Sequence, residues 1–155
     1  MTDPTPSTPG SRAALEAGIE HREIRYGKVS SVEEAAQGRG VSVSAVVKSL
    51  LVRRGEDDYL LVLVPGDRSI SWPKLREVLG VSRLSMPDAD TAFAVTGYKR
   101  GTITPLGLKL PVVVDSRIVG EAITLGSGEH GVAIGLQADA LIDAYLATVA
   151  DVSEG

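Results

Sequence analysis

The sequence predicts a single α/β domain built on a mixed, curved or barrel-like β-sheet with helices on its outside. The chain has 155 residues, of which 43% are hydrophobic, which suffices for one domain with a sizeable core. Short apolar segments rich in valine, isoleucine and leucine outnumber the helical segments. The two kinds of segment are interspersed without strict strand–helix alternation, which favours a mixed sheet over a purely parallel one.

Polar capping residues and glycine stops mark the predicted helices. Ser11 precedes the first helix, and Ser31 forms a capping box with Glu34 at the start of the second. Pro73 falls in the first turn of the third helix, which Gly80 ends. In chain order, the predicted helices cover 12–17, 31 to about 38 or 40, 72–79, 87–95 and 137–149.

β-Branched residues mark the predicted strands. The second half of 41–54 and the segment 59–65 are joined by a polar turn, and 59–65 is apolar on both faces. This pair is therefore predicted to be a hairpin in the interior of the sheet. The remaining predicted strands cover 19–26, 82–86, 111–115, 121–125 and 132–136.

The composition argues against several classes of protein. The formal net charge is −4, whereas a free-standing duplex-DNA binder is usually basic. The chain has no cysteine, which removes disulfides, thiolate catalysis and cysteine zinc sites. No apolar run approaches the ~20 residues of a membrane helix. We therefore expect a cytoplasmic protein without a membrane partner, a metal or a cofactor.

The ends of the chain are expected to lie outside the folded domain. Residues 1–10, MTDPTPSTPG, lack the basic start and the apolar stretch of a secretory signal and are predicted to form a disordered leader. Residues 11–150 are predicted to form the domain, and residues 151–155 a flexible tail.

Lys48 is the first candidate site residue. It lies in AVVKSLLV, a strand segment with two largely apolar faces. A lysine in that setting must form a pair, extend its ammonium group to solvent, or line a cavity. In the last case its charge is suited to a carbonyl or phosphate oxygen. The residue pattern leaves the solvent-reaching and cavity-lining interpretations open.

Two glycine-rich segments are candidate binding loops. The segment 96-TGYKRGTITPLGLKL-110 is too irregular for a helix and too rich in glycine for a strand, and 126-GSGEHG-131 lies between two predicted strands. Each is either a plain connection or a place where glycine lets the backbone approach a ligand closely. The phosphate-loop fingerprint is missing from the sequence. The spacing G-x-G-x-x-G occurs at 126–131, but it leads into a predicted strand, whereas the dinucleotide-binding fingerprint opens a helix.

Taken in order, the motifs VVKSLL, WPKLREVLGVSRLSMPD, TGYKRGTITPLGL, PVVVD and a glycine turn before VAIGLQADAL resemble the YbaK/ProX/EbsC family. The resemblance covers about residues 19–149. Its most specific parts are the lysine in V-x-K-[ST]-L and the loop T-G-Y-x-x-G-x-x-x-P-x-G. It implies a curved mixed sheet of six or seven strands wrapped by helices. It also implies an aminoacyl-tRNA editing deacylase, similar to the editing insertion of bacterial prolyl-tRNA synthetases.

The resemblance also implies a set of site residues. Lys48 matches the family's invariant lysine and Gly101 begins its G-x-x-x-P loop, so these two are the catalytic candidates. The implied substrate-binding residues are Tyr26, Thr102, Ile103, Thr104, Pro105, Gly126, Ser127, Gly128 and His130. The chain departs from the family at Thr102, where many members have glycine, and at Glu129 and His130. These positions border the amino-acid pocket and leave the substrate open.

The implied reaction is hydrolysis of mischarged aminoacyl-tRNA, with Cys-tRNA(Pro) as the first candidate substrate and Ala-tRNA(Pro) as the second. Amides from Gly101 to Thr104 would polarise the ester carbonyl, and Lys48 would hold the carbonyl or the terminal adenosine. The attacking group would be water, the substrate's ribose hydroxyl or a cysteinyl thiol. The expected partner is the acceptor end of tRNA, with prolyl-tRNA synthetase as an optional second.

An alternative hypothesis is a binding module that keeps the fold and has lost the chemistry. It would hold tRNA or a molecule resembling aminoacyl-adenosine. The net negative charge and the change at Thr102 motivate it. On the deacylase hypothesis, a local patch that includes Lys48, Lys99 and Arg100 would offset the net charge near the acceptor end.

Overall fold

A computed structural model of the protein describes residues 8–155 and shows a mixed α/β domain. Most of the predicted leader, residues 1–7, lies outside the described residues. The helices are α1 (Pro9–Glu16), α2 (Val32–Arg39), α3 (Trp72–Leu79), α4 (Ala89–Thr96) and α5 (Ala138–Tyr145). The strands are β1 (His21–Arg25), β2 (Val47–Gly55), β3 (Asp58–Pro65), β4 (Ser69–Ile70), β5 (Val112–Asp115), β6 (Ala122–Gly126), β7 (Val132–Gln137), β8 (Thr148–Ala150) and β9 (Ser153–Glu154).

The strands of the described part form three sheets, in the orders β1-β7-β6, β2-β3-β5-β8 and β4-β9. β5 runs parallel to both β3 and β8, whereas the other pairs are antiparallel. The two larger sheets meet at an isolated bridge between Val46 and Thr124. The prediction of a mixed α/β domain is confirmed. The barrel alternative is wrong, because these sheets stay separate, and the nine strands exceed the expected six or seven.

The β2–β3 hairpin divides the core into two layers. Leu61 and Leu63 of β3 pack in the layer that contains Leu125 and Ile134. The alternate residues of β3 face a second layer around Leu75 of α3. Both faces of the hairpin are covered, which explains why its sequence is apolar on both sides. The predicted position in the interior of the sheet is right for β3 and wrong for β2, which is the edge strand.

Helix starts follow the capping chemistry, with shifts of a few residues. Thr8, not Ser11, caps α1: its Oγ1 accepts a hydrogen bond of 3.1 Å from the amide of Ser11. Ser31 caps α2 as predicted, with its Oγ 3.1 Å from the amide of Glu34. The Glu34 carboxylate reaches the amide of Ser30 at 2.9 Å, one residue before the cap.

The end of the chain differs most from the sequence prediction. The last helix stops at Tyr145, and β8 then pairs with β5, and β9 with β4. The predicted flexible tail at 151–155 is therefore wrong for its central residues. Val152 is 0% exposed, and its amide donates to Oδ1 of buried Asp115 at 3.1 Å. The segment 82–86 is likewise no strand, apart from one bridge between Ser85 and Arg53.

Ion pairs fix this C-terminal segment to the rest of the domain. Asp151 accepts from Arg117 at 2.8 Å and from Lys74 at 3.1 Å. The hydrogen bond from Arg117, followed by that from Lys74, lowers the pKa of Asp151 from 3.8 to about 2. The charged carboxylate is therefore the form that the folded state favours.

Asp151→Asn is expected to destabilise the protein near neutral pH and much less in acid. The folded state lowers the pKa of Asp151, so its stabilisation is complete above 3.8 and is lost as the pH falls toward about 2. Urea unfolding at about pH 6 and about pH 2 measures the change. Asp57→Asn, at an exposed turn, is the control. An equal loss at both pH values would contradict the expectation.

Candidate active site

A cavity of about 630 Å³ lies beside β2, where the two larger sheets diverge. Its lining comes from five parts of the chain: the end of α2, the β2 region, the start of α4 with the segment before it, the glycine-rich loop after α4, and the end of β6. The lining residues are Arg39, 46–51, 86–89, Ala92, Arg100, Gly101, Ile103 and Gly126. Its volume lies within the range of small-molecule sites in proteins, about 300–1,000 Å³.

The outer edge of β2 supplies one wall of the cavity. Within the described residues, β2 pairs with β3 on one side, and its other side meets the chain only through bridges at Val46 and Arg53. Alternate backbone N–H and C=O groups of an edge strand point away from the sheet. Between the two bridges, those groups are available to a ligand in the cavity.

Lys48 lines the cavity and is only partly buried. Its ammonium group donates a hydrogen bond to the carbonyl oxygen of Arg68. Burial lowers the pKa of Lys48 from 10.5, and the nearby Asp67 carboxylate opposes that shift. An ammonium group has three N–H donors, so two remain for a ligand. Lys48 is thus a lining residue of the cavity, while Arg68, which accepts from its ammonium group, lines a neighbouring groove.

The loop after α4 is a closed hoop, comprising residues 97–107. The hydroxyl of buried Tyr98 donates to the carbonyl of Leu106 at 2.7 Å and joins the two ends. Both the amide and the hydroxyl of Thr102 donate to the carbonyl of Lys99, at 2.9 and 2.6 Å. Gly101 has φ +87°, a conformation that favours glycine. The hoop is therefore held by its own hydrogen bonds.

The hoop leaves two backbone donors free at the cavity. The amides of Gly101 and Ile103 donate to no acceptor within residues 8–155, and both residues line the cavity. The Thr102 amide, expected to act with them, is already bound to Lys99. The predicted row of amides from Gly101 to Thr104 is therefore interrupted at its second member.

The turn at 126–131 supports the hoop from behind. The amide of Gly128 donates to the carbonyl of Thr102 at 3.0 Å. A Cβ atom at Gly126 would lie 2.7 Å from the carbonyl oxygen of Ile103, so only glycine permits this contact. Ser127 is fully buried, and its hydroxyl donates to the carbonyl of Val132 at 2.7 Å. Ser127 thus closes the turn and does not face the cavity.

Four of the sequence-predicted site residues meet at the cavity, and the others surround it. Those that line it are Lys48, Gly101, Ile103 and Gly126. Those that lie behind the lining are Thr102, Thr104, Pro105, Ser127 and Gly128. His130 is exposed, and its Cε1 lies 3.8 Å from where a Cβ of Gly101 would be, which puts it at the rim.

Tyr26 reaches the cavity only through Arg39. Its hydroxyl oxygen lies 3.2 Å from Nη2 of Arg39, whose Cζ lies 5.2 Å from the centre of the tyrosine ring. The other Nη of Arg39 donates to Thr124 at 3.0 Å. Two fixed contacts therefore orient this guanidinium group beside the cavity.

Sequence reasoning missed two polar residues of the lining. Nε of Arg39 and Oγ of Ser49 are buried, and neither has a hydrogen-bond partner in the described part of the chain. Buried polar atoms without partners are rare in proteins. The sequence signal for Arg39 was only a basic residue in the last turn of a helix, which is common on surfaces. Ser49 lies next to Lys48, in the motif already singled out.

These features define the class of protein. A mixed α/β domain holds a lysine, two free backbone amides and two unpartnered polar atoms around one cavity, and residues 8–155 contain no cluster of acidic and histidine side chains fit for a metal. No helix in that range is long and apolar enough to cross a membrane. The geometry is that of a pocket for a small polar ligand.

Residues 27–144 match the family model of the aminoacyl-tRNA editing domain, and the chain belongs to this family. Proline–tRNA ligase of Thermosipho melanesiensis is 35% identical over 100 residues, which cover 64% of this chain and 18% of the ligase. The chain thus spans less than a fifth of the length of that curated relative. The resemblance to an editing domain related to prolyl-tRNA synthetase is confirmed.

Two solved structures share the fold over nearly their whole length. The hypothetical protein APE2540 has a TM-score of 0.85 and 28% identity, covering 94% of this chain and 99% of its own. A candidate trans-editing enzyme for prolyl tRNA synthetase has a TM-score of 0.82 and 25% identity, covering 95% and 96%. The fold of nearly the whole chain is therefore a known architecture.

Proposed function

We propose that the protein is a deacylase that hydrolyses mischarged aminoacyl-tRNA, with Cys-tRNA(Pro) as the first candidate substrate and Ala-tRNA(Pro) as the second. The observation that carries the proposal is the shared cavity of Lys48 and the Gly101 hoop. Membership of the editing-domain family and the similarity to proline–tRNA ligases support it. On this proposal tRNA is the partner, prolyl-tRNA synthetase is an optional second, and the site of action is the cytoplasm.

The hoop and Lys48 both supply hydrogen-bond donors to the ester substrate. The free amides of Gly101 and Ile103 stabilise the negative charge that develops on the carbonyl oxygen during attack. The two remaining donors of Lys48 hold the carbonyl or the terminal adenosine. Donors of this kind are each worth about 10²–10³ in rate when they are fixed in advance, as the hydrogen bonds of the hoop ensure.

The reaction needs no nucleophile from the protein. Water adds to the ester carbonyl carbon, the bond from that carbon to the ribose oxygen breaks, and a proton from the water ends on the ribose oxygen. The products are the free amino acid and uncharged tRNA. Ser49 is the hydroxyl in the lining, and no histidine or carboxylate within residues 8–155 hydrogen-bonds to it as a base would. Positioning of an already activated ester carries the rate.

A panel of charged tRNAs tests the proposal. Purified protein is mixed with Cys-tRNA(Pro), Ala-tRNA(Pro), Pro-tRNA(Pro) and cognate Ala-tRNA(Ala), and release of the amino acid is followed. Hydrolysis of at least one mischarged species, with Pro-tRNA(Pro) spared, supports the proposal. A pocket that discriminates by one methylene gains only about 1–3 kcal/mol, so partial overlap between the two candidates is expected. Binding of a non-hydrolysable aminoacyl-adenosine analogue without any turnover would instead identify a binding module.

Tyr26→Phe is expected to lower kcat/KM for the preferred substrate by about fivefold, because one hydrogen bond that orients Arg39 is worth roughly 1 kcal/mol. Tyr26 is a positioning residue, so Arg39→Lys should lose at least as much. Single-turnover deacylation measures the effect. Tyr59→Phe, at a tyrosine that is not part of the cavity lining, is the control. Unchanged kinetics in Tyr26→Phe would show that the orientation of Arg39 by Tyr26 does not contribute to deacylation.

A further inference from the structure

A second groove, of about 530 Å³, lies on the far side of the Arg53–Ser85 bridge from the cavity. Four arginines line it: Arg53 and Arg54 at the end of β2, Arg76 on α3, and Arg83 in the segment after α3. In the sequence these residues are spread over 30 positions and show no cluster. The fold brings their guanidinium groups to one place.

Two of the four arginines in this groove lack a partner in the described part of the chain. Glu56 is the acidic residue among its lining, and Arg54 pairs with Asp58 at 3.0 Å. The guanidinium groups of Arg76 and Arg83 have no hydrogen-bond or ion-pair partner within residues 8–155. Like charges gathered without partners on a chain of net charge −4 are unfavourable for the isolated domain. Such a cluster is suited to an anionic ligand, and planar guanidinium groups match phosphate oxygens in particular.

The arginine groove continues the cavity along the same two segments of chain. Residues 46–51 line the cavity and 53–56 line the groove, and the facing segment 82–89 is divided between them in the same way. From Lys48 to Arg53 the strand advances by about 17 Å, at roughly 3.3 Å per residue. An extended ligand with its end in the cavity therefore follows the edge of β2 as far as the Arg53–Ser85 bridge and reaches the groove by passing over that bridge.

We propose that the arginine groove binds phosphates of the tRNA acceptor strand that leads to the esterified 3′ end. The inference rests on the proposed function, since it takes the ester in the cavity as the end of that strand. The lining of the groove contains no aromatic side chain on which a base could stack. Its contacts are therefore to the sugar–phosphate backbone, and they position the strand without reading its sequence.

The test is the double variant Arg76→Ala/Arg83→Ala in deacylation of charged tRNA. KM is expected to rise roughly tenfold at moderate salt with kcat little changed, because two phosphate contacts and their counterion release are lost. The slope of log kcat/KM against log salt concentration is expected to fall by about 1 for each arginine. With the 3′-aminoacyl ester of adenosine, which has no phosphate, the double variant and wild type should be equally active.

Matched controls separate the groove from general charge. Arg12→Ala/Arg22→Ala removes two exposed arginines elsewhere and should leave both KM and the salt slope unchanged. Arg76→Gln/Arg83→Gln repeats the test with longer polar side chains, and thermal unfolding verifies that each variant is folded. An unchanged KM and salt slope in the groove variants, with wild-type turnover intact, would overturn the inference.

Failure of the proposed function gives a different pattern. If wild type hydrolyses none of the esters, binding of uncharged tRNA(Pro) is measured by fluorescence anisotropy across salt concentrations. If the groove variants bind more weakly and the control variant does not, the arginine groove is an RNA-backbone site on a protein that is not a deacylase. Equal binding by all variants would remove the groove site as well.

Discussion

Replacement of Lys48 by methionine is expected to lower kcat/KM for deacylation by about a hundredfold or more, the loss seen when a preorganised donor is removed from a reacting carbonyl. Methionine keeps most of the length of the Lys48 side chain and removes its ammonium group, which donates to the carbonyl of Arg68. Lys48→Arg should recover only part of the activity, because a planar guanidinium cannot occupy the position of a compact ammonium.

Lys48→Met should remain folded. Burial lowers the pKa of Lys48, so its protonated form costs stability at every pH below the folded pKa, and that cost disappears only as the pH rises toward 10.5. Near neutral pH, Lys48→Met should therefore unfold within about 5 °C of wild type. Lys109→Met, at an exposed position outside the lining, is the control for both assays. Full activity in Lys48→Met would exclude Lys48 from the reaction.

Gly126→Ala is expected to lower kcat/KM for deacylation by about a hundredfold, as Lys48→Met is. The effect would come from a displaced hoop, because no side chain of the cavity is removed. The new methyl group would lie 2.7 Å from the carbonyl oxygen of Ile103 and 2.9 Å from that of Thr102. Because both obstacles are backbone atoms, the hoop must shift. A displacement of the order of 1 Å at a positioning group is enough for a loss of this size.

Gly126→Ala is also expected to lower the stability of the domain, and a second glycine serves as its control. Overpacking against backbone should also cost about 1–3 kcal/mol in the free energy of unfolding. Gly155→Ala is the control, since its new methyl group would lie 3.6 Å from its nearest neighbour and its φ is not positive. Urea unfolding and single-turnover deacylation measure the two effects. Wild-type activity in Gly126→Ala would show that the turn does not set the position of the hoop.

The sequence predicted the elements that carry their own local signals. The β2–β3 hairpin, the Ser31 cap and the glycine hoop each follow from residues within a short window. The C-terminal strands did not, because β8 and β9 are short and their pairing with β5 and β4 is decided by distant partners. Val152 is a single apolar residue among polar neighbours, so it predicts no strand or helix, although its burial anchors the segment.

The same distinction applies to the candidate site. Lys48 and Gly101 lie in motifs, and their common cavity follows the family resemblance. Arg39 and the arginine groove are visible only after folding, because their members come from separate segments that β2 brings together. Ser127 was misassigned since a serine between glycines has the same appearance whether it binds a ligand or closes a turn.

The free donors of the hoop are main-chain amides, so they do not depend on the identity of its side chains. Gly101 and Ile103 offer N–H groups that every amino acid except proline possesses, while the hoop's shape is set by Tyr98 and by the turn behind it. The side chains of Ile103 and Met86 can therefore be exchanged to resize the cavity without altering these backbone donors. On the proposed function, such exchanges would change which amino acid the cavity admits while the donors keep their positions.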